Sequence, residues 1–403
     1  MKRKFLYYLL TAMMACIYMG GILNTQFIIL MKGQSWSPRF GWELIVAGWG
    51  ALFYALGSLF LAPLSDRWGR VPCVFWSCII VFLLQAVMGW NLLGVYRLWH
   101  FFLYWGVNCL CLALYFTSVE GLFSDYQDHR MPLARRLGIY CLSWASGDTI
   151  GTFMTGYIKE TRGAQGMFRI LALFGIAAVV IIGMDWLRHG YRKFGDRDVG
   201  EADIRPEAPF HASLARIGIF FGSMAFSALS AAFPRFGRDF HNFSEGQIGS
   251  VLSMNLFVCA VTFLVFPLFK KWHYKLRWQI RLQGTMLAGL AIFLVAPSGS
   301  VPLLRLGLIL FGFGWSTGYF FSIYYSLLVP GNHARSGGIH EAVLGLGNLV
   351  GPFAAVGAIE IAGRTGLVSP DRLGVMAILV AFTSVLVSII IQLIMQQRRI
   401  QKN

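Results

Sequence analysis

Two acidic side chains lie inside long apolar segments of the chain, where an unpaired carboxylate is costly. Asp148 is near the middle of the apolar run 136–158, and Glu341 is near the start of the run 336–360, beside His340. At the centre of a membrane helix a carboxylate costs roughly 2.5–3.5 kcal/mol, so such residues usually carry protons or neutralise a charged substrate. The positions therefore indicate proton coupling or charge recognition, with a hydrogen-bonded structural acid as the alternative for Asp148.

Glu341 and His340 are neighbours, about 100° apart around one helix. If both were buried, this pair could exchange protons near neutral pH. The alternative is contact with cytoplasmic water, and for His340 the sequence favours that alternative. Glu341 stays a candidate for proton coupling.

One apolar run carries a polar stripe. Its polar residues follow each other in steps of three and four, which places them on one face of a helix: Arg97, His100, Tyr104, Asn108, Cys111, Tyr115 and Ser118. Lipid cannot satisfy such a face, so it must contact protein or water. We expect Tyr104, Asn108 and Tyr115 to line a cavity, whereas Arg97 is either a proton-coupling residue or a side chain that snorkels to the interface.

Further polar and aromatic residues inside apolar runs are candidates to line the same cavity. They are Asn24, Gln26, Asn255, Trp315, Tyr319 and Asn348.

The composition identifies the class of protein in which these residues must act. Of 403 residues, 57% are hydrophobic and 13% are charged, against about half and a quarter in soluble domains. This excludes a soluble fold, a disordered chain and a nucleic-acid partner, and predicts a polytopic membrane protein in a lipid bilayer. The seven cysteines lie in or beside apolar runs without any metal-binding spacing, so no metal and no cofactor is expected.

Twelve apolar runs lie between residues 5 and 395, each long enough to cross a bilayer core of about 30 Å. The polar stretch 188–212 separates an N-terminal six-helix bundle, 1–187, from a C-terminal six-helix bundle, 213–403. With the N-terminus inside, 23 of the 34 Lys and Arg residues fall on the inner side. The positive-inside rule therefore predicts that both termini and the linker are cytoplasmic.

The two halves also repeat each other. Gly147-Asp148 and Gly151 in the fifth run match Gly347-Asn348 and Gly351 in the eleventh, at a shift of 200 residues. Tyr115-Phe116-x-Ser118 in the fourth run matches Tyr319-Phe320-x-Ser322 in the tenth, at a shift of 204. Parallel six-helix repeats predict a pseudo-two-fold axis along the membrane normal and a site between the halves. A duplicated scaffold without transport is the alternative.

The segment between the second and third runs reads Ala62-Pro63-Leu64-Ser65-Asp66-Arg67-Trp68-Gly69-Arg70. It resembles the G-x-L-x-D-R-x-G-R loop signature of the major facilitator superfamily, with Ala62 in place of the first Gly. Together with twelve runs and a central linker, the resemblance covers the whole chain. It implies an all-α membrane protein with twelve transmembrane helices in two pseudo-symmetric six-helix bundles.

The resemblance also implies a gating latch. In the family this loop holds the two halves together in one state, which assigns Asp66 to the latch and the start of the eleventh run to its dock. Glu120, at the inner end of the fourth run, is a possible partner for Arg67 or Arg70. Gly69 allows the sharp turn between the two helices.

The expected function is secondary transport of a small organic solute by alternating access, with proton coupling through Asp148 and Glu341 as a secondary hypothesis. The alternatives are a non-transporting membrane sensor or scaffold, a proton-antiport drug exporter, and a membrane-embedded enzyme, for which no cluster of catalytic residues stands out. An ATP-driven pump is excluded because the chain has no phosphate-binding Gly-x-x-x-x-Gly-Lys-[Ser/Thr] loop. We expect a monomer in a bacterial inner membrane, and the substrate and the direction of transport stay open.

Overall fold

The chain is built from helices. The computed structural model describes residues 2–31, 41–94, 96–125, 131–189, 206–269, 271–328, 333–369 and 372–402, and within these ranges no residue is in a strand. The helices, numbered in chain order, are α1 Lys2–Ile29, α2 Trp42–Phe60, α3 Ala62–Trp68, α4 Arg70–Gly89, α5 Leu98–Asp125, α6 Leu133–His189, α7 Ala208–Asp239, α8 Glu245–Val265, α9 Leu276–Val295, α10 Val301–Leu328, α11 His333–Thr365 and α12 Gly374–Lys402.

Among the described residues, eleven helices are long and apolar enough to cross a membrane, and α6 crosses twice. Its apolar part, Leu133–Arg188, has 56 residues and would be about 84 Å long as a straight helix. A bilayer core is only about 30 Å thick. Gly163 interrupts this helix with φ 68° and ψ 176°, a conformation that favours glycine. The twelve predicted crossings are therefore present.

Successive crossings alternate in direction, so the helix ends form two faces. We call the face that holds the start of α1 and the end of α12 the terminal face. We call the face that holds the end of α1 and the start of α2 the distal face. The two described ends of the predicted linker 188–212 lie at the terminal face, where α6 extends to His189 and α7 already begins at Ala208. Residues 190–205 of that linker lie outside the described residues.

The helices pack into two groups. In the first, α6 packs along α1 and α4, and α2 packs on α5. In the second, α7 packs on α11 and α12, and α9 packs on α10. The two groups, α1–α6 and α7–α12, meet mainly where α6 contacts α8 and α2 contacts α11. This all-helical arrangement is the predicted fold class.

The glycines of the sequence repeat bring helices into backbone contact in both groups. A methyl group added to Gly147 or Gly151 of α6 would overlap the carbonyl oxygen of Ala12 or Cys16 in α1. In the second group, Gly347 and Gly351 of α11 meet the carbonyl oxygens of Phe220 and Met224 in α7 in the same way. Small residues four apart allow such close approach in membranes. The repeat is thus a repeat of packing as well as of sequence.

We predict that Gly147→Ala destabilises the protein, because the added methyl group must push α6 away from the backbone of α1. Overpacking of this kind typically costs about 1–3 kcal/mol. The unfolding midpoint of the purified protein should fall clearly. Gly357→Ala is the matched control, since no atom lies within 4 Å of the added methyl group there. Equal midpoints for the two variants would contradict the backbone contact.

Candidate functional site

A central cavity lies between the two groups of helices. The space within it, including the part that is open to solvent, is about 800 Å³. Four helices of each group contribute to its wall, which makes it a site that neither group forms alone. The lining residues are Ala15, Tyr18, Met19, Ala51, Tyr54, Phe116, Tyr140, Trp144, Asp148, Phe226, Leu256, Trp315, Tyr319, Glu341, Leu344, Gly345 and Asn348.

Much of the cavity wall is aromatic. The ring of Trp144 in α6 lies 5.1 Å from that of Tyr319 and 6.2 Å from that of Trp315, both in α10 and both at steep angles. Phe226 of α7 stacks on Trp315 with ring centroids 4.6 Å apart. The sequence predicted Trp315 and Tyr319 as cavity residues, and both line the central cavity. Trp144 and Phe226 were missed.

Asp148 lies in the wall of the central cavity and is 8% exposed. Its Oδ1 atom has no hydrogen-bond partner among the described residues. Gly147 faces the backbone of α1, and the next residue along a helix points about 100° away, which turns Asp148 toward the space between the groups. Its repeat mate Asn348 lines the same cavity from α11, also with an unpartnered Oδ1.

Glu341 lies in the same wall but has partners. It accepts hydrogen bonds from the hydroxyls of Tyr54, at 2.8 Å, and of Tyr319, at 3.4 Å. Its carboxyl group is also within hydrogen-bonding reach of Glu120 in α5, which accepts from Tyr140 at 3.0 Å. Glu120 belongs to the first group of helices and Glu341 to the second. A pair of carboxyls therefore joins the two groups on the terminal side of the cavity.

This contact changes the prediction for Glu120. The sequence assigned it to the latch as a partner of Arg67 or Arg70, but in the structure it contacts Tyr140 and Glu341. The reason is that Glu120 is on the face of α5 that turns toward α6 and α11. The position of Glu120 along the sequence places it near the loop but does not show which way this face of α5 points.

The prediction for His340 is also wrong. The sequence favoured contact with cytoplasmic water, but its side chain is fully buried. One ring nitrogen, Nδ1, lies 2.8 Å from the hydroxyl of Ser322, and the other, Nε2, lies 3.8 Å from Glu341. The helices α10 and α11 pack around it, which excludes the water that its position near a helix start suggested.

A second cavity of about 710 Å³ adjoins the first on the distal side, and we call it the distal cavity. Gln26 and Asn255, both predicted cavity residues, line it, and Asn348 lines both cavities. The Oδ1 atom of Asn255 has no hydrogen-bond partner among the described residues. The two cavities share lining residues, among them Tyr18, Phe226 and Asn348, so they adjoin in the middle of the molecule.

Four predicted cavity residues line neither cavity. Tyr104 donates to Gln85 at 3.0 Å, and Asn24 donates to the backbone of Ala164 at 3.0 Å, both within the first group. Asn108 and Tyr115 are fully buried as well. The polar stripe of α5 does face protein, as expected, but it faces the interior of its own group.

Arg97 lies just before α5 at the distal face and is exposed. The sequence allowed two interpretations of Arg97, a proton-coupling residue or a side chain that extends to the membrane interface. Its exposure at the distal face, outside both cavities, favours the second interpretation.

Ion pairs bridge the two groups at the distal face. Arg235 of α7 donates two hydrogen bonds, at 2.8 and 3.3 Å, to the fully buried carboxylate of Glu43 in α2. Lys159 of α6 pairs with Glu245 of α8 at 2.6 Å. Bidentate arginine pairs are among the strongest polar contacts in proteins. The sequence did not reveal these ion pairs, because the two residues of each pair lie in different halves of the chain.

A third contact at the distal face uses the start of α8. Glu160 of α6 accepts from the backbone N–H of Gly246 at 2.8 Å. A carboxylate at the N-terminus of a helix is stabilised by free N–H groups and by the helix dipole. Together with the two ion pairs, this contact holds the groups together on the distal side of both cavities.

The connection between α7 and α8 is itself well ordered by hydrogen bonds. Ser244 and Gln247 form a capping box at the start of α8. Burial lowers the pKa of His241 to about 4, so the ring is neutral near pH 7 and accepts from the backbone N–H of Gly299 at 3.0 Å. His241 therefore serves as a hydrogen-bond acceptor at the distal face and not as a sensor of neutral pH.

The loop signature forms a compact corner at the terminal face. Gly69, with φ 94° and ψ 142°, joins α3 to α4, a backbone conformation that favours glycine. The guanidinium of Arg70 lies against α5, where a methyl group on Gly121 would come within 2.6 Å of its Cζ atom. Arg67 is exposed, and the side chain of Asp66 lies outside the described residues.

Comparison with known proteins gives one consistent result. The family model described as Major Facilitator Superfamily matches residues 8–352. The structure is similar to that of the nucleoside transporter NupG, with a TM-score of 0.67 and 15% identity over 98% of this chain and 99% of that one. It is equally similar, at a TM-score of 0.67, to a bacterial homologue of the human lysosomal transporter Spinster in an inward-facing and occupied conformation, with 16% identity over 97% and 94% of the two chains. No curated protein sequence matches.

We predict that Glu43→Gln opens the distal face. The change leaves Arg235 without this carboxylate, and breaking a buried pair costs about 3–5 kcal/mol, which weakens the arrangement in which the groups meet. A cysteine at Ser230, which lines the distal cavity, should then react about tenfold faster or more with a membrane-impermeant maleimide applied at the distal face. The seven native cysteines are buried and give a low background.

Ser298→Cys provides the control, because Ser298 is exposed at the distal face and should react equally with and without Glu43→Gln. Removing both partners, by Glu43→Gln with Arg235→Gln, should restore slow labelling at Ser230→Cys in part. If Glu43→Gln leaves the labelling rate unchanged, the ion pair does not close this face.

Proposed function

Because the chain belongs to the Major Facilitator Superfamily, we propose that it is a secondary transporter that moves a small organic solute across the membrane by alternating access. The central cavity is the observation that carries this proposal. Its wall is shared by the two groups of helices, so a movement of one group against the other would change access to it. A scaffold has no need for such a space, which favours transport over that alternative.

The contacts at the two ends of the cavity support a rocking movement of whole groups. At the distal face the groups are joined by ion pairs, which can break and re-form as units. On the terminal side the contact is a carboxyl pair between α5 and α11. Asp66 and the corner formed by Gly69 and Arg70 belong to the proposed latch at the terminal face. The moving units are the six-helix bundles on either side of the linker 188–212.

Proton coupling is proposed to act through Glu341 together with Glu120. Two carboxyl groups in contact repel each other strongly when both are charged, and a shared proton turns this repulsion into a hydrogen bond. Binding of one proton would therefore favour contact between α5 and α11, and its loss would favour separation. Asp148 has no such partner in the opposite group, which makes it the weaker candidate for this step.

The sidedness follows the distribution of positive charge. The excess of Lys and Arg at the terminal face supports a cytoplasmic location for that face and for both termini. We propose that the protein is a monomer in a bacterial inner membrane.

We predict that Glu341→Gln and Glu120→Gln each abolish accumulation driven by a pH gradient while solute exchange continues. An amide keeps a hydrogen bond across the groups but cannot release a proton. Proteoliposomes with an imposed pH gradient are tested with radiolabelled nucleosides, sugars, organic acids and organic cations. Glu360→Gln, an exposed acid at the distal end of α11, is the control and should transport normally.

Two results would count against this assignment. Normal gradient-driven accumulation in both variants would remove the carboxyl pair from coupling. If the wild-type protein moves no solute of any class, with or without a gradient, the transport proposal itself fails.

A further inference from the structure

The only side chains of Asp, Glu, Lys, Arg or His that line the two cavities are acids. Among the lining residues, every one of which is described, the ionisable acids are Asp148 and Glu341, and none is Lys, Arg or His. The nearest cations along α6, Arg136 and Lys159, lie about three turns from Asp148, and Lys159 is paired with Glu245. The ring of His340 lies 3.8 Å from Glu341 but outside the lining, so the wall of the cavities itself carries acids and no basic side chain.

The two acids differ in what they contact. Glu341 is held by Tyr54, Tyr319 and Glu120. Asp148 has an Oδ1 atom without a hydrogen-bond partner among the described residues, although its side chain is more than nine-tenths buried.

The surroundings of Asp148 supply no charge either. Its titratable neighbours include the thiols of Cys16 and Cys259 and the phenol of Tyr18, which are ordinarily neutral near pH 7. A buried carboxylate with only neutral neighbours is unfavourable, so it either takes up a proton or pairs with a cation. Since no described residue that lines the cavities is basic, a cation that pairs with Asp148 would come from outside the protein.

Aromatic rings line the central cavity near Asp148. Trp144 lies one turn before Asp148 on the same helical face, and Trp315 and Tyr319 pack against Trp144 at 6.2 and 5.1 Å. The faces of such rings attract cations, and a cage of rings is the usual way in which proteins recognise quaternary ammonium groups. The indole N–H group of Trp315 has no acceptor among the described residues. It can therefore donate to a polar group on a ligand.

From this arrangement we infer that the substrate is an organic cation, an amine or quaternary ammonium on an aromatic or alkyl body, with Asp148 as its counter-charge and Trp144, Trp315 and Tyr319 around its charged end. This inference deepens the proposed transport function and rests on it. A neutral aromatic solute could stack on the same rings, but it would leave the carboxylate of Asp148 uncompensated. An anion would be repelled by both acids.

The test compares probes of similar body and different charge. The purified protein is unfolded thermally with choline, benzyltrimethylammonium and tetraphenylphosphonium as cations, with phenylmethanesulfonate as an anion, and with uridine as a neutral solute. At least one cation should raise the unfolding midpoint of the wild-type protein in a saturable way, and the anion and uridine should not.

Variants locate the effect at Asp148. Asp148→Asn keeps the size of the side chain and removes its charge, and it should weaken cation binding about thirtyfold or more. Asp148→Glu keeps the charge and should keep the preference for cations, which separates a charge effect from a folding defect. Trp315→Leu should weaken cation binding several-fold. Glu360→Gln, which removes one exposed acid outside the cavity, should bind the cation as the wild type does.

The outcomes separate this inference from the transport proposal. If no cation shifts the midpoint, or if Asp148→Asn binds cations as tightly as the wild type, the inference is wrong. If uridine or the sulfonate binds instead and accumulates in proteoliposomes, the inference is wrong while transport stands. If no probe binds and no solute class accumulates, both fail.

Discussion

The backbone contact between α6 and α1 at Gly147 and Gly151 is the constraint on which the site depends. At these two glycines one face of α6 lies directly against backbone carbonyl groups of α1, with no side chain between the helices. The neighbouring residue Asp148 therefore lies beside this contact, in the wall of the central cavity next to Tyr18 of α1. The same contact between α11 and α7 places Asn348 opposite. The positions of the glycines thus help to place two polar side chains, Asp148 and Asn348, in a mostly apolar cavity.

The polar contacts between the two groups are divided by type along the membrane normal. At the distal face they join full charges of opposite sign, Glu43 with Arg235 and Lys159 with Glu245. On the terminal side they join two acids, Glu120 and Glu341, among tyrosines. Opposite charges attract at any ordinary pH, whereas two acids attract only when they share a proton. The two ends of the cavity are therefore expected to respond differently to protons, which is a useful asymmetry for a transporter.

The comparisons with known proteins concern the fold and not the site. The Major Facilitator Superfamily fold is retained at about 15% identity to solved transporters, because what it requires is a pattern of apolar helices with small residues at the contacts. Such a pattern leaves the side chains of the cavity free to vary. For this reason the charge and the aromatic rings of the cavity, and not the fold, are the basis for an inference about substrate.

The sequence by itself determined the features that depend on local order along the chain. Apolar run lengths predict twelve crossings, the repeat predicts two related bundles, and Asp148 and Glu341 stand out because a charge is rare in such runs. Only the tertiary structure decided which face of each helix meets which neighbour. The local sequence of α5 fits either orientation of its polar stripe, toward its own group of helices or toward the cavity. Packing of α5 against α1 and α4 places Tyr104 in the interior of the first group. The pairing of Glu120 with Glu341, and of Glu43 with Arg235, joins residues about 200 positions apart. No local pattern encodes such a pair, because it depends on how two independent groups of helices are set against each other.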